Sequence, residues 1–246
     1  MNKKEKILII GGTGFLGFHL AKKLSKKNFL ITSVSKNKPK KIRFLPKIRY
    51  IYCDITKKKI LKKKIGNNFN YVINFGGYVD HSNKSKTFQS HYHGCKNLID
   101  IFLNKSCLKK FIQIGSSLEY GNEKSPQIEK YKCKPKSNYS KAKYLATQYL
   151  IGKCKENFFP GTVLRLYQVY GPKQDVNRFL PIIITSCLKN KKFPCSSGEQ
   201  FRDFLFVDDL INAIERTMLS KNTDGEIINI GSGKPQKIRK IIKYVN

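Results

Sequence analysis

Acidic residues are scarce in this chain. Its 246 residues include 16 Asp and Glu against 49 Lys and Arg, a formal net charge of +33. An excess of that size raises the prospect of a nucleic-acid or anionic-membrane partner. The lysines do not form the single stripe such a partner needs. They fall in short clusters at Lys3-Lys4, Lys22-Lys23, Lys26-Lys27, Lys57-Lys58-Lys59, Lys62-Lys63-Lys64 and Lys191-Lys192, which read as the polar faces of successive elements. Aromatic side chains are not interleaved with them as a base-stacking platform requires. No specific nucleic acid and no membrane is expected as a partner. The charge is left to steer small anions inward in a salt-dependent way.

Paired cysteine motifs are missing as well. Cys53, Cys95, Cys107, Cys133, Cys154, Cys187 and Cys195 are odd in number and scattered. That argues against a disulfide framework or a zinc site and fits a reducing compartment. No apolar run is long enough to span a bilayer, and the N-terminus lacks the apolar stretch and small-residue cleavage site of a secretory leader. A cytoplasmic protein is expected. His19, His81, His91 and His93 invite a metal reading. His91 and His93 lie two apart on an expected helix and cannot face one site, so no metal is expected. Internal repeats, low-complexity tracts and obvious linkers are also absent.

What is present is an alternation of short apolar runs with longer helical patterns. Strands are expected at Ile7–Ile10, Phe29–Val34, Ile48–Tyr52, Tyr71–Phe75, Phe111–Ile114 and Val163–Leu166. Helices are expected over Phe15–Lys27, Phe88–Asn104 and Tyr139–Glu156. Buried strands alternating with helices imply an α/β fold, a Rossmann-type doubly wound parallel sheet. After Gly171-Pro172 the rhythm changes. A helix over Arg178–Lys189, a Pro/Ser/Gly stretch at Phe193–Gly198, a strand near Phe204–Val207 and a helix over Asp208–Leu219 suit a small C-terminal substrate lobe. The division is therefore residues 1–172 for a nucleotide-binding domain and 173–246 for a lobe interleaved with it. The chain stops at Asn246, inside an expected helix that begins near Lys237, which leaves two readings: a trimmed C-terminus or a minimal lobe.

The first strand runs into Gly11-Gly12-Thr13-Gly14-Phe15-Leu16-Gly17 and then a helix. Gly11 permits a tight turn, Gly14 lets the backbone approach a pyrophosphate on the free N–H groups of the helix start, and Gly17 allows close helix–strand packing. Between a strand and a helix this is the context a dinucleotide site requires. An enzyme preferring NAD(H) usually has an acid at the end of the second strand. This chain has Ser35 and Lys36, which suit a 2′-phosphate, so the reading leans to NADP(H) over NAD(H).

The glycine spacing resembles that of short-chain dehydrogenases/reductases, and the chain as a whole resembles their extended branch, the NAD-dependent epimerase/dehydratase family of nucleotide-sugar enzymes. The likeness rests on several segments in order. Asp54-Ile55 matches an adenine-contacting pair. Asn74-Phe75-Gly76-Gly77 matches the segment beneath the cofactor ribose. Gly115-Ser116-Ser117-Leu118-Glu119-Tyr120-Gly121 matches the segment with the catalytic hydroxyl. Tyr139-Ser140-Lys141-Ala142-Lys143 is a Tyr-x-x-x-Lys motif. Tyr167, Gln168 and Val169 lie in the strand and loop between nicotinamide and substrate. Gly198–Asp203 with Val207-Asp208-Asp209 resembles the substrate-lobe signature.

The resemblance implies hydride transfer at a sugar carbon, with a proton moving on the attached oxygen. Tyr139 would be the acid/base. Lys143, one turn along the helix and on the same face, would favour its phenolate and hold the cofactor ribose. Ser116, with Ser117 second in line, would bond the sugar oxygen. Arg202 would grip the substrate diphosphate, against an alternative in which it pairs with Asp203 at the surface. Asn177, Phe179 and Leu180 would lie near the substrate base. The family also implies a homodimer.

Departures narrow the activity. Family 4,6-dehydratases carry an Asp-Glu pair after the catalytic hydroxyl, where this chain has Ser117 and Leu118. Glu119 is one place late and is expected to point elsewhere on a strand. An epimerase or a 4-ketoreductase acting at C4 is expected. Gln168 and His91 stand where the family often has Asn. Rival readings are a non-catalytic NAD(P)-binding sensor or scaffold, a reductase of a non-sugar ketone, and a nucleic-acid module exploiting the charge.

Overall fold

Strand β1 (Glu5–Ile10) sends Ile7 and Ile9 to one face and Leu8 and Ile10 to the other, and all of them are buried. A strand apolar on both sides must lie inside a sheet covered by helices twice. The computed structural model, which describes residues 4–80 and 82–245, places β1 inside a sheet of seven parallel strands, between β4 and β2, in the order β10-β6-β5-β4-β1-β2-β3. These are β2 (Phe29–Ser35), β3 (Arg49–Tyr52), β4 (Tyr71–Asn74), β5 (Lys110–Ser116), β6 (Gly161–Leu166) and β10 (Ile227–Ile230). One face packs on Leu61, Ile65, Leu98, Ile99, Ala146 and Leu150, from α2 (Lys58–Ile65), α4 (Gly94–Phe102) and α5 (Asn138–Asn157). The other packs on Leu20, Leu24, Val207, Leu210 and Ile214, from α1 (Phe15–Leu24) and α7 (Val207–Leu219). The Rossmann-type fold class expected from the sequence is the one observed.

The strand order reverses between β1 and β4. A crevice opens at such a switch point beyond the carboxyl ends of the strands, and ligands of this fold bind there. The chain order and register bring the ends of β1, β4, β5 and β6 side by side, with Ile10 opposite Asn74, Asn74 opposite Gln113 and Ser116 opposite Leu166.

The C-terminal third goes in two directions. Helix α7 and strand β10 return to the main sheet. Helix α6 (Phe179–Leu188), β8 (Phe201–Arg202), β11 (Gln236–Lys237) and α8 (Ile238–Val245) stand beside it, with β8 and β11 antiparallel. Two short strands, β7 (Gln168–Tyr170) and β9 (Phe204–Phe206), pair in parallel at the junction.

Two expectations change in detail. The helix expected over Phe88–Asn104 begins earlier, as α3 (Lys84–Phe88), where Asn83 caps the start by accepting from the Lys86 N–H. It continues through one π turn, Gln89–His93, before α4. Glu119, expected on a strand, lies in a single 3₁₀ turn over Ser117–Tyr120. Ser116 and Glu119 cap that turn reciprocally, which stops β5 there.

Candidate active site

The glycine loop joins β1 to α1. Gly11 has φ +76, a left-handed conformation that side chains resist. A Cβ on Gly17 would collide with the Gly11 carbonyl oxygen and the Gly12 backbone. Helix α1 starts at Gly14 with no side-chain cap and no acid in its first turn. Its first N–H groups and the positive end of its dipole are thus left for an anion. The loop is tied to β2 by the Thr13 N–H, which donates to Ser35 Oγ at 3.2 Å. Lys36 Nζ lies 3.4 Å from Asp54 Oδ2. Burial raises the Asp54 carboxyl, but hydrogen bonds from Thr56 and Lys36 outweigh it and hold the group below the usual range. The Ser35 hydroxyl therefore serves the loop, and Lys36 is the exposed cation of the pair, resting against Asp54.

Across the switch point, the Phe75 N–H donates to Ile10 O at 3.0 Å. Asn74 reaches both ways. Its Oδ1 accepts from the Gly76 N–H at 2.9 Å, and its Nδ2 donates to Gln113 Oε1 at 2.7 Å. The Cys95 thiol donates to the same oxygen at 2.9 Å, and Gln113 Nε2 donates to Ile114 O at 2.9 Å. Burial pushes the Cys95 thiol up to about 12, so it is a packing and hydrogen-bonding group here. Ile55 fills the space beside Gly76 and Gly94, in the floor of the crevice.

Tyr139 and Lys143 sit in the first turns of α5, whose start is fixed by a reciprocal cap between Ser137 and Ser140. Lys143 is buried and donates to Ile114 O at 2.7 Å. Its ammonium lies 5.9 Å from the centre of the Tyr139 ring. Ser116 closes β5 two residues beyond that carbonyl, with its Oγ accepting from the Leu118 N–H at 3.2 Å. One hydrogen bond from α5 to β5 thus ties Lys143 and Tyr139 to the strand that carries Ser116.

A residue set that the sequence did not reveal stands behind Ser116. Glu119 is wholly buried. Its Oε1 accepts from the Ser116 N–H at 2.8 Å, and its Oε2 accepts from Thr147 Oγ1 at 2.9 Å and Arg165 Nε at 3.0 Å. One carboxylate therefore links the end of β5, the middle of α5 and strand β6. The Arg165 guanidinium lies 4.5 Å from the centre of the Tyr120 ring. The signal available was Arg165 itself: a charge inside the apolar run Val163–Leu166 demands a buried partner.

Three of the expected substrate residues, Gln168, Phe179 and Arg202, line one cavity of about 330 Å³ between β7, α6 and the Phe193–Arg202 segment. Asn177 and Leu180 flank Phe179 on the chain but are not among its lining residues. Arg202 is exposed and donates to the Phe201 carbonyl at 2.7 Å. It does not pair with Asp203, whose carboxylate instead accepts the Ser232 and Gly233 N–H groups at 2.7 and 2.8 Å. Tyr167 donates to Gln127 Oε1 at 3.1 Å, and burial pushes its phenol up to about 12. Val169 pairs with Leu205 across β7 and β9. A larger cavity, of about 490 Å³, lies between α1 and α7 and contains none of the expected site residues. His19 lines it and bonds Pro172 O, far in sequence from His91 and His93, and His81 lies outside the described residues.

A switch-point crevice, an uncapped glycine-rich helix start and a Tyr-x-x-x-Lys helix beside a strand-end serine are the features of the extended short-chain dehydrogenase/reductase class. Residues 7–231 match the model of the NAD dependent epimerase/dehydratase family, and the chain belongs to that family. It is 30% identical to a dTDP-D-glucose 4,6-dehydratase of Dictyostelium discoideum, over 94% of this chain but 60% of that protein. The chain thus spans less than two thirds of that relative. Its fold matches a UDP-glucose 4-epimerase of Thermotoga maritima solved with UDP-glucose, with a TM-score of 0.91 and 24% identity over 98% of this chain and 81% of that one. It also matches a UDP-glucuronic acid 4-epimerase of Bacillus cereus solved with UDP-glucuronic acid and NAD. There the TM-score is 0.86 and the identity 25%, over 98% and 82% of the two chains.

Proposed function

We propose that this protein is an NAD(P)-dependent epimerase or 4-ketoreductase of nucleotide-activated sugars, acting at C4, with Tyr139 as the acid/base. The observation that carries the reading is the seat of Lys143: buried, bonded to Ile114 O and one helical turn from Tyr139. A cation fixed there stabilises a phenolate as the phenol exchanges its proton with a sugar oxygen. Ser116, at the end of β5, would donate to the same oxygen as charge develops on it. The nicotinamide ring, when bound, supplies the hydride exchange. Gly11, Thr13, Gly14, Phe15, Leu16, Gly17, Asp54, Ile55, Phe75, Gly76, Gly77, Tyr167 and Val169 would hold the cofactor, and an uncapped α1 suits its pyrophosphate.

Arg202, with Gln168 and Phe179 in the same cavity, supports a diphosphate-bearing substrate. Ser117, Asn177 and Leu180 complete the substrate set. We assign residues 1–172 to a cofactor domain and 173–246 to a substrate lobe interleaved with it. The lack of an acid at the end of β2, with Lys36 exposed there, favours NADP(H) over NAD(H). Elimination of water is disfavoured. Ser117 and Leu118 carry no carboxyl, and the carboxylate of Glu119 is buried against Arg165. Seven free cysteines support a reducing, cytoplasmic setting. Among the described residues, no helix is long and apolar enough to cross a membrane.

Tyr139→Phe tests the assignment. Turnover is expected to fall at least ~100-fold, the range general acid–base catalysis contributes, with cofactor affinity within about threefold of the parent, since the phenol is not the main binding group. A variant that keeps its rate would remove Tyr139 from the chemistry.

A further inference from the structure

His91 is the one side chain in the π turn that is buried. A π turn inserts one extra residue into a helix and re-aims the side chains around it, and such turns gather at functional sites. Here the re-aimed side chain meets Tyr139. The two rings lie edge to face, with centroids 4.9 Å apart and planes at 87°. The imidazole also lies against Gly77: a Cβ there would run into Cε1, Nδ1 and Nε2 of the ring. Its Nε2 is 3.1 Å from the carbonyl oxygen of Tyr78. That segment is itself held by the π turn, because the Tyr78 N–H donates to Ser90 Oγ at 2.9 Å.

The imidazole is therefore a wedge. It touches both the proposed acid/base and the backbone that follows β4 into the crevice. Gly77 is the only residue type that leaves room for it. We propose that His91 is a positioning residue for Tyr139, an inference that rests on reading Tyr139 as the acid/base. The ring fixes the tilt of the phenol over the sugar oxygen and couples that tilt to the Gly77–Tyr78 segment. The flat ring packed against both Gly77 and Tyr139 sets the aim of the phenol, and the hydrogen bond to Tyr78 O is a secondary tether. Lys143, the charged group facing Tyr139 from its own helix, is held independently by Ile114 O. Loss of His91 should therefore disturb the aim of the phenol and leave the seat of the ammonium intact.

The roles separate in three variants. In His91→Ala the slot empties, and kcat should fall ~10- to 100-fold, the cost of a misplacement of about 1 Å. KM for the nucleotide-sugar should stay within about twofold, because Arg202 and the substrate cavity are untouched. His91→Phe keeps a flat ring and loses the bond to Tyr78 O. His91→Gln keeps a donor for Tyr78 O and loses the ring. Rescue of kcat by His91→Phe to within about threefold, and not by His91→Gln, is the expected pattern. Circular dichroism and a thermal melt identify any variant that has not folded, and His91→Phe, which refills the slot, keeps the test open if His91→Ala has not.

A second readout needs no substrate. With 3-fluorotyrosine incorporated, the Tyr139 resonance is the one absent from Tyr139→Phe. It should shift in folded His91→Ala, because the neighbouring ring current is gone, and return toward its parental position in His91→Phe. Equal kcat in parent and folded His91→Ala, or an unmoved Tyr139 resonance, overturns the inference. A parent that turns over no nucleotide-sugar is a different failure: it overturns the proposed function, and the fluorine resonance still decides whether His91 seats Tyr139.

Discussion

Arg165 and Glu119 set the behaviour of the site at the scale of single residues. Both are buried, and the carboxylate bonds Ser116, Thr147 and Arg165 at once. Breaking a buried pair leaves an uncompensated charge, which typically costs about 3–5 kcal/mol. Arg165→Met should therefore lower the unfolding free energy obtained from urea titration by that order, and the double variant Arg165→Met, Glu119→Gln should recover part of it. A single variant as stable as the parent would mean the pair is already solvated. The sequence exposed Ser116, Tyr139 and Lys143, because their spacing is set by local geometry along one strand end and one helix turn. It did not expose Glu119. Two of its three partners are 28 and 46 residues away, and its direction depends on a 3₁₀ turn that the apolar pattern of β5 does not announce. The contact of His91 with Tyr139 was hidden for the same reason: an offset of one π turn changes which residue faces inward.

Among elements, the ones with strong apolar signals formed as expected. β1, β4, β5 and β6 are buried runs, β2 is buried from Ile31 onward, and α1 follows the glycine loop. Helix α2 was not legible. Its sequence, Lys58–Ile65, offers only Leu61 and Ile65 to the core among lysines. Strand β9 falls where a strand was expected near Phe204–Val207, whereas the short strands β7, β8 and β11, of two or three residues each, are defined by pairing partners and not by any pattern of their own. Gly17→Ala puts a methyl group against the Gly11 carbonyl, where overpacking costs about 1–3 kcal/mol. Thermal melting should fall accordingly, and fluorescence titration with reduced cofactor should show affinity down by at least ~10-fold. Unchanged binding would mean the glycine loop does not approach the cofactor.

Over the whole molecule, the few acids are almost all engaged, and the excess of lysine makes each one matter. Burial raises the Asp100 carboxyl, but hydrogen bonds from Lys58 and Tyr149 and the charges of Lys58 and Lys96 outweigh it and hold the group below its usual range. Burial is likewise overcome at Asp175 by Lys40 and Arg43, and at Glu215 by Lys27 and Lys23. A carboxyl depressed in the folded state contributes stability that is present above its unfolded value and is lost as pH falls through its folded value. The urea midpoint should therefore hold steady near neutrality and decline from about pH 5 downward, through the range where free carboxyls titrate. Asp100→Asn should flatten part of that decline. A midpoint unchanged between pH 7 and about pH 3 would contradict these assignments.

We propose that a nicotinamide cofactor and a nucleotide-sugar meet at Tyr139. The most direct measurement incubates the purified protein with NADPH or NADH and a panel of nucleotide-sugars and their 4-keto forms, following reduced-cofactor absorbance and resolving the sugars by proton NMR. Conversion of one nucleotide-sugar into its C4 epimer without net cofactor change, or stoichiometric cofactor oxidation with a 4-keto sugar, is the predicted result, and Tyr139→Phe should abolish either one. Absence of cofactor binding, or binding with every nucleotide-sugar left intact, would contradict it.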